Sequence, residues 1–309
     1  ILYLINGLLV AQRFDADNLK LVGEPVPLSS QVSALAERAL FSVSDDGTLI
    51  FQRGQSVGLR ELVWVGRRGD SISRVGAPDR YLDFSISPDG LRVAYGLTAD
   101  QAGTVDIWVR DLKRDVASRL TFGPAVNAWP IWTRDGAKVI FTSNRDNTRF
   151  AAYQRNANGT GSDEFLFKRD SADISIIDIS PDGSLMMLSS GNSTEDLWMH
   201  DTRTGKAEPF LTQPFNEQRG TFSPNGKYVA YQSDESNRPE IYIRELGANG
   251  GKWQVSTTRG RCPRWRADGK ELYYFTPDFD FMAVPISYEH GLEIGTPVKL
   301  FNRRVYFVG

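Results

Sequence analysis

Short apolar runs separated by tight polar turns fill most of the chain, and no stretch sustains the 3.6-residue apolar spacing of an amphipathic helix. One unit recurs within that pattern: an apolar strand, a turn closing on glycine, and a second apolar strand. It reads FSVSDDGTLIF from Phe41, FSISPDGLRVAY from Phe84, PIWTRDGAKVIF from Pro130, IDISPDGSLMML from Ile177, TFSPNGKYVAY from Thr221 and PRWRADGKELYYF from Pro263. The turn glycines, Gly47, Gly90, Gly136, Gly183, Gly226 and Gly269, are 43, 46, 47, 43 and 43 residues apart. That period matches the roughly 40–45 residues of a four-stranded propeller blade. Asp or Asn before each glycine, and Pro88, Pro181 and Pro224 two residues before it, are the residues a tight hairpin demands.

A third strand follows each hairpin, in LVWVGRRG, DIWVRDLKR, AAYQRNANG, DLWMHDTRTG, EIYIRELGANG and FMAVPIS. A weaker fourth strand often ends in Leu-Thr, as at Leu120-Thr121 and Leu211-Thr212. The expected fold is therefore an all-β propeller of four-stranded antiparallel blades, a single domain over residues 1–309. At the N-terminus, residues 1–5 and 8–14 flank Asn6-Gly7, a two-residue hairpin signal, and residues 24–32 read as a further outer strand. A composite blade from residues 1–32 and 303–308, pairing the two ends of the chain, would bring the ring to seven blades, with six or eight as alternatives. Residues 33–40 are compatible with a short helix inside a loop.

Charge narrows the range of partners. Lys plus Arg number 36 against 38 Asp plus Glu, a net charge of −2, so nothing draws the chain broadly to nucleic acid or anionic membranes. The longest apolar stretches, residues 1–5 and 8–11, fall far short of the ~20 residues of a membrane helix. The chain starts at Ile1 without a basic leader, and an upstream part is expected.

The chemistry expected of the chain is binding. Cys262 is the only cysteine, which removes an internal disulfide framework and a cysteine-rich zinc site. His200 and His290 are the only histidines; the first lies in a strand, the second in a polar loop, and neither sits in a catalytic constellation. A three-histidine metal site fails on count, and the Asp-Gly pairs lack calcium-loop spacing and fall where a hairpin needs a turn. The Ser42–Gly47 stretch likewise lacks the spacing of a sialidase aspartate box. There is no G-x-S-x-G elbow, H-R-D loop or D-F-G triplet. No catalytic residue, metal or cofactor is implied.

Trp64, Trp108 and Trp198 hold the repeated aromatic position of the third strand and read as packing between blades. In a propeller, each link from an outer strand to the next inner strand crosses the same face, so residues just before the inner strands converge near the axis. This selects Arg80, Tyr81, Asn127, Trp129, Asn216, Gln218, Arg259 and Arg261 as a rim for a protein, peptide or small ligand at the central channel.

The repeats resemble the TolB-like, WD-repeat-like propeller family, whose blades carry the F-S-x-S-P-D-G-x-x-x-A-Y hairpin and the following I-W/Y strand. LLVAQRFD, LVGEPVPL, FNEQRGTFSPNGKYVAYQSDESNRPEIYIREL, GGKWQVSTTRGRCPRWRADGKELYY and FMAVPIS are further similar to the propeller that follows the kinase domain and membrane segment of bacterial serine/threonine kinases. That resemblance implies a non-catalytic sensory or interaction domain outside the cytoplasmic membrane. A free-standing periplasmic scaffold is one alternative, and the propeller half of a peptidase or a carboxylate-dependent hydrolase is another.

Overall fold

The computed structural model describes residues 59–304 apart from 100–102, 147–148, 192–193 and 248–249. Before residue 59 it describes Asn18 and the strands Leu2–Ile5, Leu8–Asp15, Lys20–Ser29, Ala34–Leu35, Arg38–Ala39, Phe41–Val43 and Leu49–Phe51. Residues 1–60 and 61–309 form two compact units.

In the second unit four consecutive sheets each have four antiparallel strands in chain order from inside to outside. The first blade comprises Tyr81–Ile86, Arg92–Thr98, Val105–Asp111 and Val116–Arg119. The second comprises Asn127–Trp132, Lys138–Ser143, Ala151–Asn156 and Glu164–Phe167, and the third Ser175–Ile179, Leu185–Ser190, Asp196–Asp201 and Ala207–Leu211. The fourth holds Glu217–Phe222, Tyr228–Ser233, Glu240–Glu245 and Lys252–Gln254. In the fifth, Arg261–Trp265, Glu271–Phe275 and Asp280–Ser287 are followed by Glu293–Ile294 and Val298–Asn302, which share the outer position against the third strand.

The hairpins form where the repeat places them, for a local reason. In Ser180-Pro-Asp-Gly the Ser180 hydroxyl donates to Asp182 Oδ1 at 2.6 Å, and Ser184 N–H donates to the same oxygen at 3.1 Å. Thr133 with Asp135 and Ser223 with Asn225 repeat the contact at 2.6 and 2.7 Å. The glycine that follows has a positive φ in all five blades, from +66° at Gly136 to +74° at Gly183 and Gly269, which a side chain would strain.

The core lies between blades. Ile107 and Val109 of the first blade meet Trp132, Val139 and Phe141 of the second. Similar buried clusters join the second to the third, the third to the fourth and the fourth to the fifth. Burying one such Phe or Ile contributes about 1.5–3 kcal/mol, so each blade is held chiefly by its neighbours.

The expected count of seven blades is incorrect, as are six and eight: the arrangement has five blades. The first repeat does form its hairpin, Phe41–Val43 against Leu49–Phe51, but as a separate two-stranded sheet. Arg60–Val65 and Ser71–Asp79, which the period assigns to the same blade, make another. Turn chemistry dictates a hairpin locally, whereas a blade also requires the second strand to pair with the third. The N-terminal strands make a three-stranded antiparallel sheet with Leu2 opposite Ala11 and Ile5 opposite Leu8. Their Asn6-Gly7 turn, the Gly47 turn and residues 305–308 of the expected closing strand lie outside the described residues; Arg303 and Arg304 are not in a strand. Where a short helix was expected, Ala34–Leu35 pairs antiparallel with Arg38–Ala39.

The hairpin Arg60–Val65/Ser71–Asp79 touches both the first and the fifth blade. Leu62 and Val75 pack with Tyr81, Val93 and Tyr95. On the other side Arg67 makes a forked ion pair with Glu271, with Nη1 to Oε2 at 2.8 Å, and Arg303 Nη1 donates to Ser71 Oγ at 2.9 Å. Among the described residues no helix is long and apolar enough to cross a membrane.

Candidate functional site: the central channel

The inner strands of all five blades surround a cavity of about 850 Å³. The geometry of its wall repeats. In every inner strand the pairing with the second strand slips by a bulge, between Tyr81 and Phe84, Ala128 and Ile131, Ile176 and Asp178, Gln218 and Thr221, and Arg261 and Arg264. In three of them a non-glycine residue within the bulge is left-handed: Trp129 at φ +54°, Arg219 at +56° and Cys262 at +55°. Each stands seven residues before its turn glycine, and each lines the cavity. Asp83 and Ile176 hold the same position in the first and third blades and also line it. A bulge re-aims a side chain, and a left-handed L-residue costs about 1–2 kcal/mol. Three such residues stand on one wall, each held by the strand pairing around it.

Asp83 ties the wall together. Its Oδ2 accepts the Trp129 N–H at 2.6 Å and its Oδ1 accepts that of Gly96 at 3.0 Å. Burial pushes its carboxyl up to about 6, against the pull of those hydrogen bonds toward the ionised form. Asp178 makes the corresponding hydrogen-bond tie between the third and fourth blades, its Oδ2 accepting Phe222 N–H at 2.8 Å and the Thr221 hydroxyl at 3.0 Å. The indoles of Trp132 and Trp265 donate back to the carbonyls of Ser85 and Thr221 in the preceding blades, at 2.9 and 3.1 Å.

The cavity is chemically mixed. Phe84, Ile86, Ile131 and Ile177 give it an apolar side, with Phe84 58% exposed. Asp173, Ser175, Ser189 and Glu195 line it where the third inner strand begins, and Arg134, Arg219 and Arg264 line it elsewhere. Arg134 reaches Asp178 at 3.5 Å and the Ser180 carbonyl at 2.9 Å, while Arg264 Nη1 donates to the Pro263 carbonyl at 2.8 Å. The Cys262 thiol is pushed up by burial, opposed by Arg219, Arg264 and Arg261. Neither histidine lines the cavity: His200 is buried against Phe167, ring centroids 3.7 Å apart. Among the described residues no cluster of three or more His, Cys, Asp or Glu side chains is placed to hold a metal ion.

Of the eight rim residues selected from sequence, Trp129 and Gln218 line the cavity together. The other six are not among the residues lining it. Tyr81 is buried, its hydroxyl donating to the Ala77 carbonyl at 2.8 Å. Asn127 is fully buried, joining Val105 O at 3.0 Å and Arg145 at 3.1 Å. Asn216 bonds Asp234 and accepts the Glu195 N–H. Arg80 and Arg259 use their backbone N–H groups on Asp79 and Glu240, and Arg261 is exposed at the start of the fifth inner strand. Seven of the eight stand eight to ten residues before the turn glycine, and Trp129 stands seven before it. The missed wall residues Asp83, Arg219 and Cys262 were accessible to a count of seven from each glycine.

The profile of the TolB beta propeller domain matches residues 76–242, more than half of the chain. Among solved structures, a putative TolB from Agrobacterium tumefaciens is similar over 76% of this chain and 84% of its own, at 14% identity and a TM-score of 0.60. TolB from Acinetobacter baumannii aligns over 76% of this chain and 61% of its own, at 18% identity and 0.58. A prolyl endopeptidase aligns over 81% of this chain and 42% of its own, at 14% identity and 0.52. Likenesses at these identities show the fold alone.

Proposed function

The chain belongs to the TolB β-propeller family, and from that premise we propose that it is a non-catalytic recognition module whose central channel takes an extended segment of a protein partner. The observation that carries this reading is the repeated left-handed bulge, which turns Trp129, Arg219 and Cys262 into one cavity at a cost in backbone strain. The mixed lining suits a peptide with apolar and charged side chains better than a purely apolar or purely ionic small molecule.

The longer sequence resemblance extends the reading to the sensor region of a bacterial serine/threonine kinase, held outside the cytoplasm. A free-standing extracytoplasmic scaffold uses the same channel in the same way. Reading the gene on either side separates them: an upstream kinase domain and a membrane segment support the sensor, and a downstream G-x-S-x-G domain supports the propeller half of a peptidase.

Selection of a displayed random-peptide library on the full chain tests the recognition itself. Peptides so enriched should bind the F84D/R264E double variant at least tenfold more weakly. Equal binding to the double variant would place recognition elsewhere.

A further inference from the structure

One buried carboxyl at the edge of this channel has no role in the wall described above. Glu217 begins the inner strand of the fourth blade and is followed by Gln218 and Arg219, both of which line the cavity. Its side chain is 1% exposed, yet one carboxyl oxygen, Oε2, has no hydrogen-bond partner. The backbone N–H of Gln213 donates to the carboxylate. Its own backbone N–H donates to the Glu195 carbonyl of the third blade at 2.8 Å, and Asn216 beside it bridges Asp234 to the Glu195 N–H. Glu217 thus sits in the stitch between the third and fourth blades.

Its electrostatic surroundings are mostly of its own sign. Asp196 faces it from the third blade and Glu235 from the fourth. The cation facing it, Lys252, is paired with Glu235, and Arg169 acts on Asp196. Of the other titratable groups around the stitch, Asp234 holds Asn216 and the Tyr231 phenol is itself pushed up by burial. Ionising Glu217 in place puts a further negative charge in a dry site, with one oxygen lacking a donor. Admitting water relieves this, and water enters only if the stitch opens.

We propose that Glu217 is a proton-operated latch between the third and fourth blades: neutral, it keeps the inner strand seated, and ionised, it loosens the stitch and with it the Gln218–Arg219 stretch of the channel wall. Burial, aided by Asp196 and Glu235, pushes its carboxyl up to about 7. An acid raised on folding contributes stability that is complete below its unfolded value near 4.5 and is lost as pH rises through about 7. The latch therefore opens across the neutral range.

Hydrogen exchange on the full chain, read as protection factors at pH 5.5, 7 and 8.5, tests this without any channel ligand. Failure here leaves peptide recognition standing, and failure of recognition leaves the latch standing. In the unaltered protein, the protection of the amides of Glu217, Gln218 and Arg219 should fall about tenfold or more between pH 5.5 and 8.5, while that of Val139–Phe141 in the second blade stays level. In Glu217→Gln the fall at the stitch should vanish. Protection at 217–219 that is independent of pH in the unaltered protein overturns the proposal even if the variant does not fold. A fall that persists unchanged in Glu217→Gln overturns it as well.

Discussion

At the scale of the residue, the left-handed bulge position makes the sharpest claim. An ordinary strand position prefers alanine to glycine, because glycine gives up more freedom on folding. At Cys262, with φ +55°, that order should invert, since a Cβ there crowds the backbone. Cys262→Gly is expected to be more stable than Cys262→Ala by about 0.5–1 kcal/mol in denaturant unfolding. The ordinary order would mean the bulge is not left-handed in solution. Asp83 gives a second test, through pH. Its carboxyl is raised from 3.8 to about 6, so its contribution to stability is full below about 4 and lost as pH rises through 6. Relative to Asp83→Asn, the unaltered protein should lose on the order of 2 kcal/mol between pH 4 and 7. A constant difference across that range would show the carboxyl to be solvated.

At the scale of the element, the hairpins were legible because their causes are local: a hydroxyl, a carboxylate two residues on, and a glycine free to take positive φ. The ties between blades were not, since nothing in the repeat says that Trp132 reaches the Ser85 carbonyl or that Asp178 reaches Phe222. Trp132 is both buried and an inter-blade donor. Trp132→Phe keeps most of the apolar contact and leaves the Ser85 carbonyl short of a partner, so a loss of about 1–2 kcal/mol is expected in urea unfolding. A neutral result would show the indole bond to be replaced by water. The site was half-legible for a related reason: the face was deducible from propeller topology, but the bulge that decides which residue turns inward depends on pairing with the second strand.

At the scale of the whole molecule, period alone overcounted. The 43-residue spacing of Gly47 and Gly90 is as regular as the rest, yet the strands of that repeat divide into two separate hairpins. What meets both the first and fifth blades is the hairpin at 60–79, fixed to the fifth by Arg67 and Glu271. Hydrogen bonds from Arg67, Tyr273 and Arg266 hold the Glu271 carboxyl down at about 2. Its contribution is therefore present above its unfolded value near 4.5 and is lost as pH falls toward 2. The melting temperature of Glu271→Gln should lie below that of the unaltered protein at pH 7 and converge on it near pH 2; a gap that persists there would assign the effect to packing instead.

The central claim is that recognition happens inside the ring of inner strands. Hydrogen exchange with a library-selected peptide bound tests it most directly. The account predicts slowed exchange in Asn127–Trp132, Glu217–Phe222 and Arg261–Trp265, with the outer strands Val116–Arg119 and Ala207–Leu211 unchanged. Slowing confined to those outer strands would contradict it.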